Sequence, residues 1–236
     1  MQRFFDLVFS ALALLVLLPL LLPVMMLLRL TGEGEVFYRQ SRIGRGGTPF
    51  GLLKFATMLK DSPNLGTGTV TLHGDPRVLP VGKFLRATKL NELPQLLNIL
   101  KGDMSLIGPR PQTQRCFDAF PEAAQREIVK VRPGLSGIGS IVFRDEARLM
   151  ADADDADAVY DGLIMPYKGA LEQWYVRRRG LRLYFVLMAL TVWVVLRPGS
   201  EVIYRMFKDL PGPPPALANM LLQARAADPH PGRQGH

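Results

Sequence analysis

A run of 22 uncharged residues, Leu7 to Leu28, constrains this chain more than any other feature. As a helix it extends about 33 Å, enough to cross the hydrocarbon core of a bilayer. Its length, and the lack of a small-residue cleavage motif after it, favour a retained anchor over a signal peptide. Pro19 and Pro23 fall in its second half. Each lacks an N–H and crowds the preceding turn, at about 3 kcal/mol in a helix interior in water. Two of them predict a break, and a broken helix can enter the membrane and return to the same side where its freed carbonyls find partners. Arg3 precedes the run, and Arg29, Arg39, Arg42 and Arg45 follow it. Basic flanks suit such a return, and the same charges suit a spanning helix kinked at proline. Both geometries stand at this point.

Hydrophobic residues make up 48 % of the chain and mean hydropathy is +0.11. That is too polar for a multi-span protein. The apolar excess lies in two blocks, Leu7 to Leu28 and Leu181 to Leu196, and the residues between them suffice for a small core. Net charge is +8, with a pI near 9.9. Such a balance points to nucleic acid, an anionic membrane surface or phosphorylated substrates. No RNA-binding aromatic motif or zinc-finger spacing occurs, so nucleic acid is the weakest of the three. Cys116 is the single cysteine, which excludes an intrachain disulfide and predicts a buried, inert thiol.

In the central stretch, residues 35–39 and 50–55 read as two short strands joined through the turn at 44–47, a hairpin. Leu90, Leu93, Leu97 and Leu100 form a helical stripe that stops at Gly102. Pro94 is tolerated only in a first turn, so this helix starts near Leu90 or Asn91. Asn91 and Glu92 then lie at its positive end, either as a phosphate-facing pair or as a plain N-cap and first-turn acid. Arg110 lies between Pro109 and Pro111 on a stiff, extended segment that aims a guanidinium fork suited to phosphate. Residues 132–140 are a glycine-rich turn region, and Ile141 to Phe143 read as a short strand. Arg144, Asp145 and Glu146 follow. The acidic run 152–157 lacks an EF-hand's glycine and terminal glutamate and reads as a solvated face.

Taken together these pieces resemble the bacterial sugar transferase family, the monotopic polyprenyl-phosphate phosphoglycosyl transferases. The resemblance runs from about Gln2 to Leu196. Its most specific stretch is DPRVLPVGKFLRATKLNELPQLLNILKGDMSLIGPRP, Asp75 to Pro111. Residues 3–6, 37–45, 54–58 and 131–134, and Trp174 with Tyr175, agree in order and spacing. The resemblance implies an α+β fold: a small mixed domain with an N-terminal re-entrant membrane helix and interfacial amphipathic helices. The implied break is at a Ser-Pro pair; here Pro19 is present and Leu18 replaces the serine. It also implies a covalent route, in which an aspartate attacks the β-phosphate of a UDP-sugar, UMP leaves, and polyprenyl phosphate takes the sugar phosphate from the enzyme. Mg²⁺ is the implied cofactor, with Glu92 its ligand. Arg86, Arg110 and Arg144 become phosphate contacts and Lys54 a supporting cation. Asp75 and Asp103 read as turn-fixing.

One departure matters. The family's nucleophile is the first residue of an Asp-Glu pair, and this chain has Asn91-Glu92. A carboxamide is a poor nucleophile and a poor Mg²⁺ ligand. Three readings follow: an active variant in which another carboxylate attacks, Glu92 first and Asp145 or Glu146 second, or in which Asn91 only positions the diphosphate; a substitution that traps a complex; or an inactive family member. The expected layout is a re-entrant helix over 1–30, a catalytic domain over 31–180, a membrane-interfacial helix over 181–210 and a disordered tail over 211–236. The interfacial helix is expected because Arg177 to Arg179 flank an apolar run that is short for a crossing helix, with a kinked second span as the alternative. The expected function is transfer of a sugar 1-phosphate from a UDP-sugar to polyprenyl phosphate. It would take place on the cytoplasmic face of the bacterial inner membrane, among membrane lipid. A scaffold role for an inactive chain is the alternative.

Overall fold

The computed structural model describes residues 1–64, 75–144, 149, 155–197 and 202–226. They form a mixed helix and strand structure headed by one long apolar helix, α1 (Gln2–Leu30). The helical backbone runs through Pro19 and Pro23 without interruption, so the expected break does not appear as a loss of helix. The prolines remove two N–H donors, and packing along one face offsets that loss. Leu14 and Leu17 pack on Leu52, Leu96, Ile99 and Met104, while Leu21 and Leu28 join Phe55 and Leu85. The opposite face leaves Leu12, Leu15, Val16, Leu22 and Met26 exposed.

Polar bonds hold the start of α1 to the same domain. Arg3 donates to the carbonyls of Ile99 (2.6 Å) and Leu100 (3.0 Å) at the C-terminal end of a helix. The Asp6 carboxylate accepts from Ser105 Oγ (2.9 Å), the Leu106 amide (3.0 Å) and the Tyr184 hydroxyl (3.0 Å).

The expected hairpin forms from β1 (Phe37–Ile43) and β2 (Pro49–Phe55), paired antiparallel with Phe37 opposite Phe55 and Ile43 opposite Pro49. Helix α2 (Pro80–Ala87) begins on a proline, whose missing N–H costs nothing there. A Cβ on Gly82 would sit 2.1 Å from the Thr57 carbonyl oxygen. Gly82→Ala therefore forces α2 off the chain after β2. We expect it to destabilise by about 1–3 kcal/mol despite alanine's better helix propensity, as read by thermal unfolding.

The leucine stripe is helical, but in two pieces. Leu90–Glu92 form a 3₁₀ turn after Lys89, whose φ is 60°, and α3 (Gln95–Lys101) begins only past Pro94. Gly102, at φ 105°, ends α3 as expected. The Asn98 side chain ties α3 to β2 through the Leu53 amide (2.9 Å) and Gly51 carbonyl (2.8 Å). Strands β3 (Ser105–Ile107) and β4 (Gly134–Ser136) pair in parallel. The chain between them carries α4 (Gln114–Asp118) and α5 (Glu122–Ile128).

Two expectations are corrected. Ile141 to Phe143, expected as a strand, belong to helix α6 (Ile138–Val142) and its cap. Ile138, Ile141 and Val142 recur at helical spacing and are buried on one side, while β4 already holds the ladder position beside β3. The chain from 211, expected as a disordered tail, instead carries a helix over Pro215–Ala226, where Leu217 and Leu221 enter the core one turn apart. Before it come α7 (Ala156–Val159), a π-helical turn (Tyr160–Ile164), α8 (Met165–Arg178), α9 (Leu181–Leu196) and α10 (Val202–Met206); the last helix is α11. The largest core cluster packs Leu171, Trp174 and Tyr175 of α8 against Leu187 and Leu190 of α9 and the buried face of α6.

Candidate active site

The backbone around Arg110 is fixed on both sides. The Pro109 carbonyl accepts from the Gly134 amide (2.8 Å), and the Gln112 carbonyl accepts from the Ile43 amide (2.9 Å). β3 thus delivers Arg110 to the 3₁₀ turn that carries Glu92. The guanidinium grips the carboxylate with both arms, Nη1 to Oε2 at 3.1 Å and Nη2 to Oε1 at 2.5 Å. Burial opposes ionisation of Glu92. The charges of Arg110 and Lys54 and the Arg110 hydrogen bond outweigh it and hold the carboxyl well below the usual carboxylate range.

A cavity of about 610 Å³ opens beside this pair. Glu92, Arg110, Arg86 and Arg144 all line it, so four side chains expected at the site share one space. Arg144 also donates to the Val194 carbonyl of α9. Lys54 lines an adjoining cavity of about 350 Å³, and Arg42 and Arg86 line both. Burial and the nearby Arg42, Arg110 and Arg86 charges push the Lys54 ammonium down to about 7, against the pull of Glu92. The charge of Glu92 reaches Lys54 from the wall of the larger cavity.

Asn91 stands apart. Its side chain is buried away from the cavity wall, and its Oδ1 has no hydrogen-bond partner. It does not cap the turn either. Asp145 and Glu146 lie outside the described residues. Asp75 grips Arg77 (Nη2 at 2.5 Å) and fixes its turn, and Asp103 sits beside Asn98 and Lys101 at the end of α3.

Residue-by-residue reading missed Arg42, Lys89 and Lys168. Arg42, on β1, donates to Gln40 (2.7 Å) and to the Pro111 carbonyl (3.2 Å), and points to the cavity beside Arg110. Its burial and the Arg110 charge push its guanidinium down to about 10. Lys168 and Glu172 lie one turn apart on α8, both buried, with Lys168 on the cavity wall. Burial pushes the Glu172 carboxyl up to about 8, with Lys168 opposing. That i, i+4 spacing was the available signal, inside a segment dominated by aromatic residues.

Among the described residues no group of three His, Cys, Asp or Glu side chains can hold a metal ion. Among those residues the cavity is lined by one carboxylate, Glu92, together with several cations. Met188, Val192 and Val195 of α9 add apolar lining to it. Such a space suits phosphorylated groups that carry, or sit beside, a hydrocarbon chain.

Comparison with known proteins agrees with this geometry. The family model described as bacterial sugar transferase matches residues 1–198. The chain is 38 % identical over 159 residues to the exopolysaccharide production protein ExoY of Sinorhizobium fredii, covering 61 % of this chain and 70 % of the relative. It is 42 % identical over 146 residues to the UDP-glucose:undecaprenyl-phosphate glucose-1-phosphate transferase of Caulobacter vibrioides, covering 59 % of this chain and 53 % of that protein, about half its length. A putative undecaprenyl-phosphate N-acetylgalactosaminyl 1-phosphate transferase of Bacillus subtilis is 40 % identical over 154 residues, 65 % of this chain and 79 % of the relative. The basic cavity around a clamped glutamate and the match along most of the chain lead to one assignment: this chain belongs to the bacterial sugar transferase family, and with it to the phosphotransferase enzymes.

Proposed function

We propose that this chain transfers a sugar 1-phosphate from a UDP-sugar to a polyprenyl phosphate at the cytoplasmic face of a bacterial inner membrane, as a step in exopolysaccharide or related glycan assembly. The observation that carries the reading is the single cavity in which Glu92, Arg86, Arg110 and Arg144 meet an apolar wall of α9. The arginines bind phosphate oxygens, and Arg110 keeps Glu92 ionised and aimed. Mg²⁺ sites commonly combine one or two carboxylates with substrate phosphates, and among the described residues Glu92 is the carboxylate on this wall that would hold it. Such an ion would supply charge neutralisation for the bound diphosphate.

The membrane placement rests on α1. Its start is tied to β3 and α3 through Arg3 and Asp6, and Leu28 near its end packs on Phe55 and Leu85. A helix docked to one domain at both ends, with an apolar outer face, favours seating in the leaflet beside that domain over crossing. Phe185, Val192, Trp193 and Val195 expose the apolar side of α9, with Arg177 to Arg179 before it, a pattern suited to an interfacial helix.

The test is UMP release by purified full-length protein with Mg²⁺, undecaprenyl phosphate and a panel of UDP-sugars. Release that depends on the lipid phosphate supports the reading. Asn91, where the family has aspartate, favours the alternative of an inactive scaffold, and no release with any sugar would select it. The depressed Lys54 gives a further expectation. Its charge is lost as pH rises through about 7, so KM for the UDP-sugar should climb over that range. In Lys54→Arg, which stays charged, the climb should flatten.

A further inference from the structure

Three observations bear on which group attacks the diphosphate. Position 91 carries a carboxamide, buried and off the cavity wall. Glu92, the one acid on that wall among the described residues, has both oxygens committed to the Arg110 fork at 3.1 and 2.5 Å. To reach phosphorus it must give up a two-armed pair in a largely buried setting, which is costly. Finally, six cationic side chains, Arg42, Arg86, Lys89, Arg110, Arg144 and Lys168, line the same cavity as that acid. A diphosphate and a phosphomonoester together bring about four negative charges at neutral pH. An excess of cations on this scale matches both substrates at once, whereas a covalent relay presents them in turn. The volume, about 610 Å³, lies within the range of ligand cavities, and Arg144 shares it with the apolar α9 wall, where the first isoprene units can lie beside their phosphate.

We propose that this enzyme works by a single displacement, holding nucleotide sugar and polyprenyl phosphate together, with the lipid phosphate itself as the nucleophile. The proposal rests on the transfer activity proposed above. An ionised oxygen of the lipid phosphate forms the new bond to the β-phosphorus. The bond from that phosphorus to the bridging oxygen breaks, and UMP leaves with the electron pair. The attacking phosphate is already ionised at neutral pH, so no proton has to be removed and no enzyme carboxylate has to bond to phosphorus. Arg110 and Glu92 position the donor, and Arg144, anchored to α9, receives the acceptor.

The experiment uses full-length protein in nanodiscs with Mg²⁺, undecaprenyl phosphate and UDP-glucose, UDP-galactose, UDP-N-acetylglucosamine and UDP-N-acetylgalactosamine as donors. With the sugar that turns over, varying both substrates should give intersecting double-reciprocal lines. Without acceptor there should be no burst of UMP and no phosphosugar mass on the intact protein. A donor chiral at its β-phosphorus should give inverted product. Parallel lines, a stoichiometric burst with an adduct, or retained configuration would each overturn the single displacement while leaving the transfer activity standing. Peptide mapping of such an adduct would name the attacking carboxylate. No UMP from any donor with acceptor present would overturn the activity, and this mechanism with it.

Discussion

Arg110→Ala should lower UMP release by about 10²–10³-fold, the scale set by removing one preorganised donor from a site where phosphate charge is handled. Two losses act together. The guanidinium no longer meets the substrate phosphates, and Glu92 loses the fork that aims it. Lysine is not a substitute, because a point charge on a flexible stem cannot grip two oxygens in one plane. Arg110→Lys should recover little of the rate. Stability should fall less than activity, by about 1–3 kcal/mol, since the orphaned carboxylate keeps its attraction to Lys54. A thermal melt beside the rate assay separates the two.

The same variant should change the pH profile in a defined direction. The folded carboxyl of Glu92 titrates below its unfolded value of about 4.3, so its pairing stabilises the fold above that pH and is lost as pH falls through the folded value. The intact protein therefore keeps Glu92 ionised throughout mildly acidic conditions. Without Arg110 the depression shrinks, and the acid limb of the rate profile should move to higher pH.

Much of this site could be read from the chain, and the misses have physical reasons. Arg110 was legible because two prolines leave its backbone one extended course. Glu92 was legible as the acid at the start of the leucine stripe, although its 3₁₀ turn is separate from α3. Their pairing was not, since they lie 18 residues apart and meet only because β3 joins β4 and carries Arg110 back across the turn. Ile141 to Phe143 misled because three apolar residues cannot distinguish a period of 2 from one of 3.6. The prolines at 211–215 suggested disorder and drew attention from Leu217 and Leu221, whose i, i+4 spacing places both in the core. Arg42 and Lys168 line the cavity from a strand and a helix that nothing local marks as part of it. The departure at Asn91 was visible only against the family pattern, and the buried, off-wall position of its side chain adds what the pattern cannot supply.

Asp6→Ala should be the most destabilising single change near α1, by about 3–6 kcal/mol if each orphaned donor costs about 1–3 kcal/mol and relaxation recovers part. The carboxylate is 2 % exposed and accepts from Ser105 Oγ, the Leu106 amide and the Tyr184 hydroxyl, so it joins α1, β3 and α9 at one point. Alanine leaves all three donors without an acceptor in an interior that admits little water. Tyr184→Phe removes one of the three bonds and should cost only about 1 kcal/mol. In the Asp6→Ala background the same change should cost less still, because its partner is already gone. Function should follow through β3. That strand leads directly to Pro109 and Arg110, so loosening it at Leu106 lets the guanidinium drift from Glu92 and lowers the rate at temperatures where the protein remains folded. Membrane binding should survive, since the exposed leucines of α1 are untouched. A variant that stays on vesicles, melts early and releases UMP slowly fits this chain of contacts. One that melts normally would show that Asp6 carries no such load.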